Sequence, residues 1–294
     1  MSGRLRIFIL AYNPVSGMAT FPRKLDEVTA LFQKYGIALL LYRTTKENAD
    51  FIDFVRASQA DGIIIAGGDG TVHEIVNLLR KGQVQLPVAI LGSGTSNDFA
   101  SYLGVTKNLE GYIQQIAHGR MMTVDLGRVG ESYFINVASA GVFTSIAHEV
   151  APRLKNSLGK AAYYLRGLAE VPKLRTANFH IEADGQILEE EGFLFVVVNS
   201  GVVGSFNNVA TYARLDDGKL DFLLVKKCGL PDLMALTAKL VAGGGVREQV
   251  VRYLQASSFR ITADRPLTSD LDGEEGPPLP LEIKVVPQAL KVFY

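Results

Sequence analysis

The segment with the clearest chemical potential is a glycine-rich turn, Gly67-Gly68-Asp69-Gly70-Thr71, which directly follows an apolar run at residues 62–66. Glycines at the end of a strand allow tight turns and a close approach of the backbone to a ligand. Thr71 has the residue type of a helix N-cap, and Glu74 stands three residues later, as in a capping box. Because the amides at a helix N-terminus bind anions, the segment predicts a phosphate site. Asp69 suits a Mg²⁺ ion beside such phosphates.

Two further turns of small residues also follow apolar runs. Asn13-Pro14-Val15-Ser16-Gly17 comes after residues 7–12, and Gly94-Thr95-Ser96-Asn97-Asp98-Phe99-Ala100 comes shortly after residues 88–91. Open parallel sheets bind ligands at the carboxyl ends of their strands. Each turn alone is compatible with ordinary chain reversal, but three of them in one sheet favour a nucleotide crevice. The sequence lacks the P-loop pattern GxxxxGK(S/T) and a dinucleotide GxGxxG in its βαβ context, which argues against P-loop phosphoryl transfer and a simple NAD-dependent dehydrogenase.

The composition excludes several other classes of protein. The 294 residues are 48% hydrophobic and 20% charged, which is ordinary globular usage, and at about 150 residues per domain they suggest two domains. Thirty basic and thirty acidic residues give a net charge of zero, so no nucleic-acid partner is expected. Cys228 is the only cysteine, which excludes a disulfide within the chain and Cys-based metal sites and fits a cytoplasmic setting. No apolar run approaches the roughly 20 residues needed to cross a bilayer.

The elements that must position these turns follow from hydrophobic periodicity. Strands at residues 7–12, 37–43, 62–66 and 88–91 alternate with helices at 24–35, 48–59 and 71–81, which predicts an open α/β sheet. After Met122 the pattern changes to consecutive strands, with a helical stretch at residues 144–171 and one further helix at residues 231–243, which predicts an antiparallel second domain. Residues 151–174 form a basic, aromatic stretch that could dock on anionic headgroups or simply be an amphipathic surface helix.

Three later segments extend these motifs into a resemblance. Val124-Asp125-Leu126-Gly127, Asp217-Gly218-Lys219-Leu220-Asp221 and Leu271-Asp272-Gly273-Glu274 follow the three turns in the order found in the bacterial diacylglycerol kinase and related lipid kinase family, and the resemblance spans essentially the whole chain. The glycine-rich turn alone is less specific, since NAD kinases and phosphofructokinases carry similar turns.

The resemblance implies a fold and a reaction. An N-terminal α/β nucleotide-binding domain is expected over residues 1–123. An antiparallel β-sandwich for the lipid substrate is expected over residues 124–294, where the last strand could return to the first domain and the active site lies in the cleft between the two. Members of the family transfer the γ-phosphate of ATP to a lipid hydroxyl with Mg²⁺, so conversion of diacylglycerol to phosphatidic acid at a membrane surface is expected. Exposed edges of the second sheet could also pair in a homodimer.

The resemblance also implies roles for individual residues. Contacts with ATP are expected at Asn13, Pro14, Val15, Ser16, Gly17, Thr44, Gly67, Gly68, Asp69, Gly70, Thr71, Val72, His73 and Thr95, with Thr45 as the alternative to Thr44. Asp69, Asp98 and Asp125 match acidic positions associated with the catalytic Mg²⁺. Asp217 matches a structural metal position, at which backbone oxygens of Arg214 and Lys219 could complete the shell. Glu274 matches the general base, with Asp272 beside it.

The sequence departs from the family pattern at two positions. Met18 stands where many members carry Lys or Arg, and Arg23 or Lys24 are the candidates to supply that charge. His73 stands where Asn or Leu is frequent. Locally, Asp98 and Asp125 are also compatible with caps of helices or turns, and residues 272–276 with a charged hairpin.

Two alternatives to a lipid kinase stay open from sequence. One is a kinase of a soluble substrate, similar to NAD kinases or phosphofructokinases, and the other is a nucleotide-binding regulator without catalysis. The segment at residues 94–100 and the late Asp-Gly-Glu favour the lipid branch. The acceptor itself, whether diacylglycerol, phosphatidylglycerol, a sphingoid base or a prenol, is not encoded in these motifs.

Overall fold

The computed structural model describes residues 4–16, 21–45, 47–94, 96–105, 108–141, 175–246 and 249–294. The predicted site residues Gly17 and Thr95, the departure at Met18, the helical stretch at residues 144–171 and the basic stretch at residues 151–174 lie outside the described residues. The chain divides into two compact units. The N-terminal unit comprises Met1–Leu126 with Pro287–Tyr294, and the C-terminal unit comprises Gly127–Val286.

The N-terminal unit is built on a parallel sheet. Its elements are β1 (Arg6–Tyr12), α1 (Phe21–Lys34), β2 (Ile37–Arg43), α2 (Phe51–Ser58), β3 (Gly62–Gly67), α3 (Asp69–Lys81), β4 (Val88–Gly92), α4 (Asp98–Tyr102), α5 (Leu109–Ala117) and the start of β5 (Met121–Val129). The strands lie in the order β4-β3-β1-β2. All residues of β3 are buried, as expected for a central parallel strand covered on both faces.

Residues 287–294 complete the N-terminal unit from the far end of the sequence. They contain the last part of β15 (Leu281–Phe293), whose Val292 pairs in parallel with Val88 of β4. The buried hydroxyl of Tyr112 donates to the carbonyl of Phe293 and accepts from the amide of Ile90, both at 3.1 Å. Burial raises the pKa of Tyr112, so the phenol stays a neutral bridge. The returning segment is therefore part of the N-terminal core.

The C-terminal unit is antiparallel. Its elements are β6 (Ser132–Phe134), β7 (Val137–Gly141), β8 (Ala177–Ala183), β9 (Gln186–Val198), β10 (Leu220–Lys226), α6 (Leu230–Val241), β11 (Val251–Ala256), β12 (Ser258–Ala263), β13 (Thr268–Leu271), β14 (Glu274–Pro278) and the first part of β15. The strands run in the order β14-β13-β7-β9-β8-β12-β15, and β10 pairs with both β9 and β11.

Two apolar clusters cover the two faces of this unit's strands. Phe195 lies at the centre of the first, with its ring 5.6 Å from Phe179 and 5.7 Å from Phe222. Leu223, the neighbour of Phe222 on β10, belongs instead to the second cluster together with Leu236 of α6. Successive side chains of a strand point to opposite faces, so both faces are buried. The prediction of an α/β part followed by an antiparallel β-sandwich is confirmed.

Candidate functional site

The turns after β1, β3 and β4 lie together at one end of the parallel sheet. The amide of Asn13 donates to the carbonyl of Ala66, and the amide of Ser93 donates to the carbonyl of Gly67, both at 2.9 Å. Gly68 and Gly94 approach so closely that a Cβ built on Gly94 would lie 2.5 Å from the Cα of Gly68. Only glycine permits this contact, so the turns present backbone rather than side chains at the predicted phosphate site.

The first of these turns is held by its own side chains. The amide of Val15 donates to Oδ1 of Asn13 at 3.0 Å, and the hydroxyls of Ser16 and Ser93 lie 3.3 Å apart. The side chain of Val15 is exposed, whereas Pro14 and Ser16 are half-buried. Asn13 thus closes the turn, and Ser16 ties it to the turn after β4.

Helix α3 begins at Asp69, and the prediction of Thr71 as its N-cap is wrong. The N-cap is Gly68, which has no side chain to bond the first turn. Gly70, Val72 and the half-buried His73 therefore lie inside the first two turns of α3. Thr71 is buried and accepts a hydrogen bond from Nδ2 of Asn13 at 3.0 Å. A tertiary contact has replaced the capping contact. The amides of a first helical turn in general lack partners within the helix, which makes the start of α3 suitable for the predicted anion.

The loop after β2 is fixed to β1 and α3. The amide and the hydroxyl of buried Thr44 both donate to the carbonyl of Tyr12, at 3.0 and 3.3 Å, whereas Thr45 is exposed. Asn48 is buried with a φ of 44°, and its Nδ2 donates to Oε1 of Glu74 at 2.6 Å. Sequence reasoning missed this pair. An Asn that adopts the left-handed region and a Glu on the first turns of α3 carry no distinctive motif.

The three aspartates expected to bind Mg²⁺, Asp69, Asp98 and Asp125, are buried to different extents, and the carboxylates of Asp69 and Asp125 accept backbone amides. Oδ1 of Asp69 accepts the amide of Asp98 at 2.9 Å, which brings the turn after β3 and the start of α4 together. Asp125 is 1% exposed, and its Oδ1 accepts the amide of Gln288 at 2.7 Å. Asp125 therefore also anchors the returning segment.

These carboxylates do not form a ready-made cage. Within the described ranges, no group of three or more His, Cys, Asp or Glu side chains is placed to hold a metal ion. Carboxylate oxygens are nevertheless the donors that Mg²⁺ prefers, and Mg²⁺ keeps several of its waters, so it needs few direct ligands. The donor chemistry of Asp69 and Asp98 fits that ion.

The predicted metal position at Asp217 lies in an exposed turn. Oδ1 of Asp217 accepts the amide of Lys219 at 3.0 Å across Gly218, whose φ is 71°. The guanidinium of Arg214 lies 3.5 Å from Asp216. The aspartate thus closes its own turn, as the Asp-Gly sequence predicts on any interpretation.

Asp272 and Glu274 belong to the hairpin formed by β13 and β14, and they differ in their contacts: Asp272 is hydrogen-bonded to backbone, whereas Glu274 is exposed. The carboxylate of Asp272 accepts the amides of Ile135, Asn136 and Val137 at 2.8, 2.9 and 2.9 Å. Glu274 is the exposed first residue of β14. Asp272 fixes the turn, which leaves the Glu274 carboxylate on a rigid element and open to solvent.

A buried polar network behind the hairpin was not predicted. Asn199 donates from its amide to the carbonyl of Asn136 and from Nδ2 to the carbonyl of Ile135, both at 2.9 Å. Ser200 donates a hydrogen bond to Oδ1 of Asn136, whose Nδ2 donates to the carbonyl of Val202 at 2.8 Å. The network holds the segment that binds Asp272. The sequence feature that could have indicated this network is the polar pair Asn199-Ser200, which directly follows the apolar end of β9.

Comparison with known proteins identifies the family on both units. Residues 7–129 match the model of the diacylglycerol kinase catalytic domain, and residues 136–294 match that of the YegS C-terminal NAD kinase beta sandwich-like domain. A solved structure described as a diacylglycerol kinase from Bacillus anthracis str. Sterne is similar with a TM-score of 0.81, at 26% identity over 100% of this chain and 98% of that one.

Curated relatives agree along the whole length. The diacylglycerol kinase of Staphylococcus carnosus (strain TM300) is 32% identical over 295 residues, which cover 100% of this chain and 95% of the relative. That of Bacillus subtilis (strain 168) is 32% identical over 276 residues, which cover 93% and 91%. The chain therefore belongs to the diacylglycerol kinase family, which confirms both the resemblance drawn from its motifs and the expectation of a kinase.

Proposed function

We propose that this chain is an ATP- and Mg²⁺-dependent lipid kinase that transfers the γ-phosphate of ATP to the hydroxyl of diacylglycerol and forms phosphatidic acid. The observation that carries the proposal is the full-length match to relatives named diacylglycerol kinase. Family membership supports a kinase, and the arrangement of the described side chains supports the assignment of individual roles below.

ATP is proposed to bind at the turns after β1, β3 and β4, through the residues expected from sequence between Asn13 and Thr95. The close contact between Gly68 and Gly94 supports this role, because it leaves backbone without side chains at the N-terminus of helix α3. Thr44, rather than Thr45, is the better candidate on the loop after β2, since Thr44 is tied to the end of β1. Positioned amides hold phosphate oxygens without the cost of reorganisation.

Mg²⁺ is proposed to be held by Asp69, Asp98 and Asp125, mostly through water. When bound, the ion would neutralise charge on the transferring phosphate. Asp217, with the carbonyls of Arg214 and Lys219, is proposed as a separate structural metal position. The oxygen-only donor set at both places supports a hard cation.

Glu274 is proposed as the general base and Asp272 as the residue that positions it. The lipid hydroxyl oxygen attacks the γ-phosphorus, the bond from that phosphorus to the bridging oxygen of ADP breaks, and the hydroxyl proton passes to the Glu274 carboxylate. Phosphoryl transfer relies more on positioning than on proton abstraction, so the rigid hairpin that Asp272 maintains matters as much as the base.

The test is an assay of ATP-dependent phosphorylation with Mg²⁺ on a panel of lipids in mixed micelles. NAD is added as a soluble acceptor, because the matching sandwich model is described as NAD kinase-like. Glu274→Ala and the neighbouring Glu275→Ala are compared, since both carboxylates are exposed on β14.

Transfer to diacylglycerol that Glu274→Ala abolishes and Glu275→Ala preserves supports the proposal. Transfer that survives Glu274→Ala removes the base role. Transfer to NAD alone would show that the acceptor is NAD and not a lipid. ATP binding without transfer to any acceptor would support the alternative of a nucleotide-binding regulator.

A further inference from the structure

Asn48 is tied down on every side for a residue that lies in a loop. It is 1% exposed and has a φ of 44°. Its Oδ1 accepts the amide of Thr45 at 2.8 Å, and its Nδ2 donates both to the carbonyl of Thr45 at 3.0 Å and to Oε1 of Glu74 at 2.6 Å. The side-chain amide thus uses both of its donors and its acceptor. One residue closes the loop after β2 and joins this loop to α3.

The two elements that Asn48 joins lie on either side of β1. In the strand order β4-β3-β1-β2 the chain runs from β1 out to β2 and then returns past β1 to β3. Open α/β sheets bind ligands where the strand order reverses in this way, here between β1 and β3. Thr44, on the same loop as Asn48, is tied to the end of β1, and Glu74 lies on the helix that follows β3. The pair therefore flanks the proposed nucleotide site.

The chemistry of Glu74 selects the part of a nucleotide that fits beside it. Glu74 lies five residues after Asp69, the first residue of α3, which is about 7 Å along the helix from the proposed phosphate site. A carboxylate repels phosphate oxygens but accepts hydrogen bonds from hydroxyl groups. The described part of the chain gives Oε2 of Glu74 no hydrogen bond, so this oxygen can accept one from a ligand. The ribose hydroxyls are the neutral donors of ATP that lie nearest to its phosphates.

We propose that Asn48 is a positioning residue for the nucleotide, which holds Glu74 so that Oε2 accepts a hydrogen bond from a ribose hydroxyl of ATP. The proposal deepens the proposed function and rests on it insofar as that function makes ATP the nucleotide. Asn48 acts through Glu74 and touches no reacting atom. Its loss should therefore change the affinity for ATP and not the rate of phosphoryl transfer.

The test begins with Glu74 and measures nucleotide binding to the full chain by calorimetry, with Mg²⁺ and without lipid. The probes are ATP, 2′-deoxy-ATP, 3′-deoxy-ATP and inorganic tripolyphosphate, which carries phosphates but no ribose. Wild type is expected to bind ATP about tenfold more tightly than at least one of the deoxy nucleotides. Glu74→Ala should bind ATP about tenfold more weakly, no longer distinguish that deoxy nucleotide and bind tripolyphosphate as wild type. Glu74→Gln keeps an acceptor oxygen and should fall between the two.

The Asn48 variants test whether this residue acts through Glu74. Asn48→Gly removes the side chain and keeps a residue that adopts a positive φ. It should weaken ATP binding about five- to tenfold, and adding Glu74→Ala should weaken it no further, since the effects of coupled residues are not additive. The matched control is Asn208→Gly, because Asn208 also has a positive φ, 58°, and its Nδ2 donates to the carbonyl of Gly243 at 3.0 Å in the C-terminal unit. The control should bind all four probes as wild type.

Kinetics on a short-chain diacylglycerol in detergent micelles separate this subsite from catalysis. In Asn48→Gly the KM for ATP should rise by the same factor as the binding weakens, with kcat within about twofold of wild type. Equal thermal midpoints show that the variants are folded, and the Glu74 variants test the ribose contact even if Asn48→Gly is unstable.

Each outcome supports or overturns one of the two proposals. If diacylglycerol is phosphorylated but Glu74→Ala or folded Asn48→Gly binds ATP as wild type, the positioning proposal is wrong and the proposed function stands. Equal losses for ATP and tripolyphosphate would likewise overturn the ribose contact. If the discrimination against a deoxy nucleotide depends on both residues but no lipid is phosphorylated, the proposed function is wrong and the ribose contact stands. A wild-type chain that binds no ATP would overturn both.

Discussion

The C-terminal unit contains two hairpin turns of one design, Asp184-Gly185 between β8 and β9 and Asp272-Gly273 between β13 and β14. In both, the aspartate has a positive φ, 47° and 55°, and its carboxylate accepts backbone amides from a distant segment. Asp184 binds the amides of Ser257 and Ser258, and Asp272 binds those of residues 135–137. In both, the aspartate's own amide donates back to the same segment.

The two turns differ at the residue that follows the glycine. Gln186 opens β9 and Glu274 opens β14, and each pairs with the residue just before its aspartate. The comparison divides the Asp-Gly-Glu motif into two parts. In these two hairpins Asp-Gly is a shared structural unit, and Glu274 is the addition on which the proposed chemistry depends.

The largest expected effect separates activity from stability at Glu274. Glu274→Gln should lower kcat about 10²- to 10⁴-fold, because a general base is lost, and should leave the free energy of unfolding within about 0.5 kcal/mol of wild type. Steady-state kinetics and urea unfolding measure the two quantities. Gln186→Glu is the reciprocal control and should change neither. A parallel loss of stability in Glu274→Gln would mean that the glutamate is structural and that the two turns differ in another way.

A smaller effect is expected on stability at Asp272. Asp272→Ala removes the acceptor of three backbone amides and should lower the free energy of unfolding by about 2–3 kcal/mol. Asp272→Asn keeps one acceptor oxygen and should fall between the alanine variant and wild type in urea unfolding. A loss below about 0.5 kcal/mol for alanine would show that water replaces the carboxylate and that the hairpin does not need it.

The glycines should behave alike. Gly185 and Gly273 have φ values of 84° and 97°, and a Cβ on either would meet no atom within 4 Å. The cost of alanine is therefore backbone strain alone, about 1–2 kcal/mol at each position. Urea unfolding of Gly185→Ala and Gly273→Ala should give values within about 0.5 kcal/mol of each other. A much larger loss at one position would break the structural equivalence of the turns.

The smallest effect on stability is expected at Asp184, and its pH dependence distinguishes the contribution of this carboxylate. Burial acts to raise the pKa of this carboxyl, but hydrogen bonds from Ser257 and Ser258 outweigh it and hold the pKa below the ordinary 3.8. A lowered folded pKa stabilises the protein above the unfolded pKa, and that stability is lost as the pH falls through the folded value. Asp184→Asn should be less stable than wild type by about 0.5–1 kcal/mol at pH 5, since the turn is exposed. Urea unfolding at successively lower pH should show the difference shrinking, and a constant difference would contradict the assignment.

The sequence was sufficient for the architecture and for the places where the turns lie, because strand and helix periodicities and the glycines are local signals. It was insufficient for what holds the turns. The partners of Asp272 are backbone amides about 135 positions away, which carry no residue type. Thr71 was expected to cap α3 from local pattern, but Asn13, brought close only by the sheet, uses its hydroxyl instead.

The return of residues 287–294 to the N-terminal unit has a consequence for biosynthesis. Val88 of β4 receives its outer neighbour, Val292, only after more than two hundred further residues have been translated. Until then β4 is an unpaired edge strand of the parallel sheet, and the Tyr112 hydroxyl has no Phe293 carbonyl to which it can donate. Unpaired strand edges are prone to associate with other chains. Of the two units, the one translated earlier is therefore completed last, and its strand β4 lacks this neighbour while the second unit is synthesised.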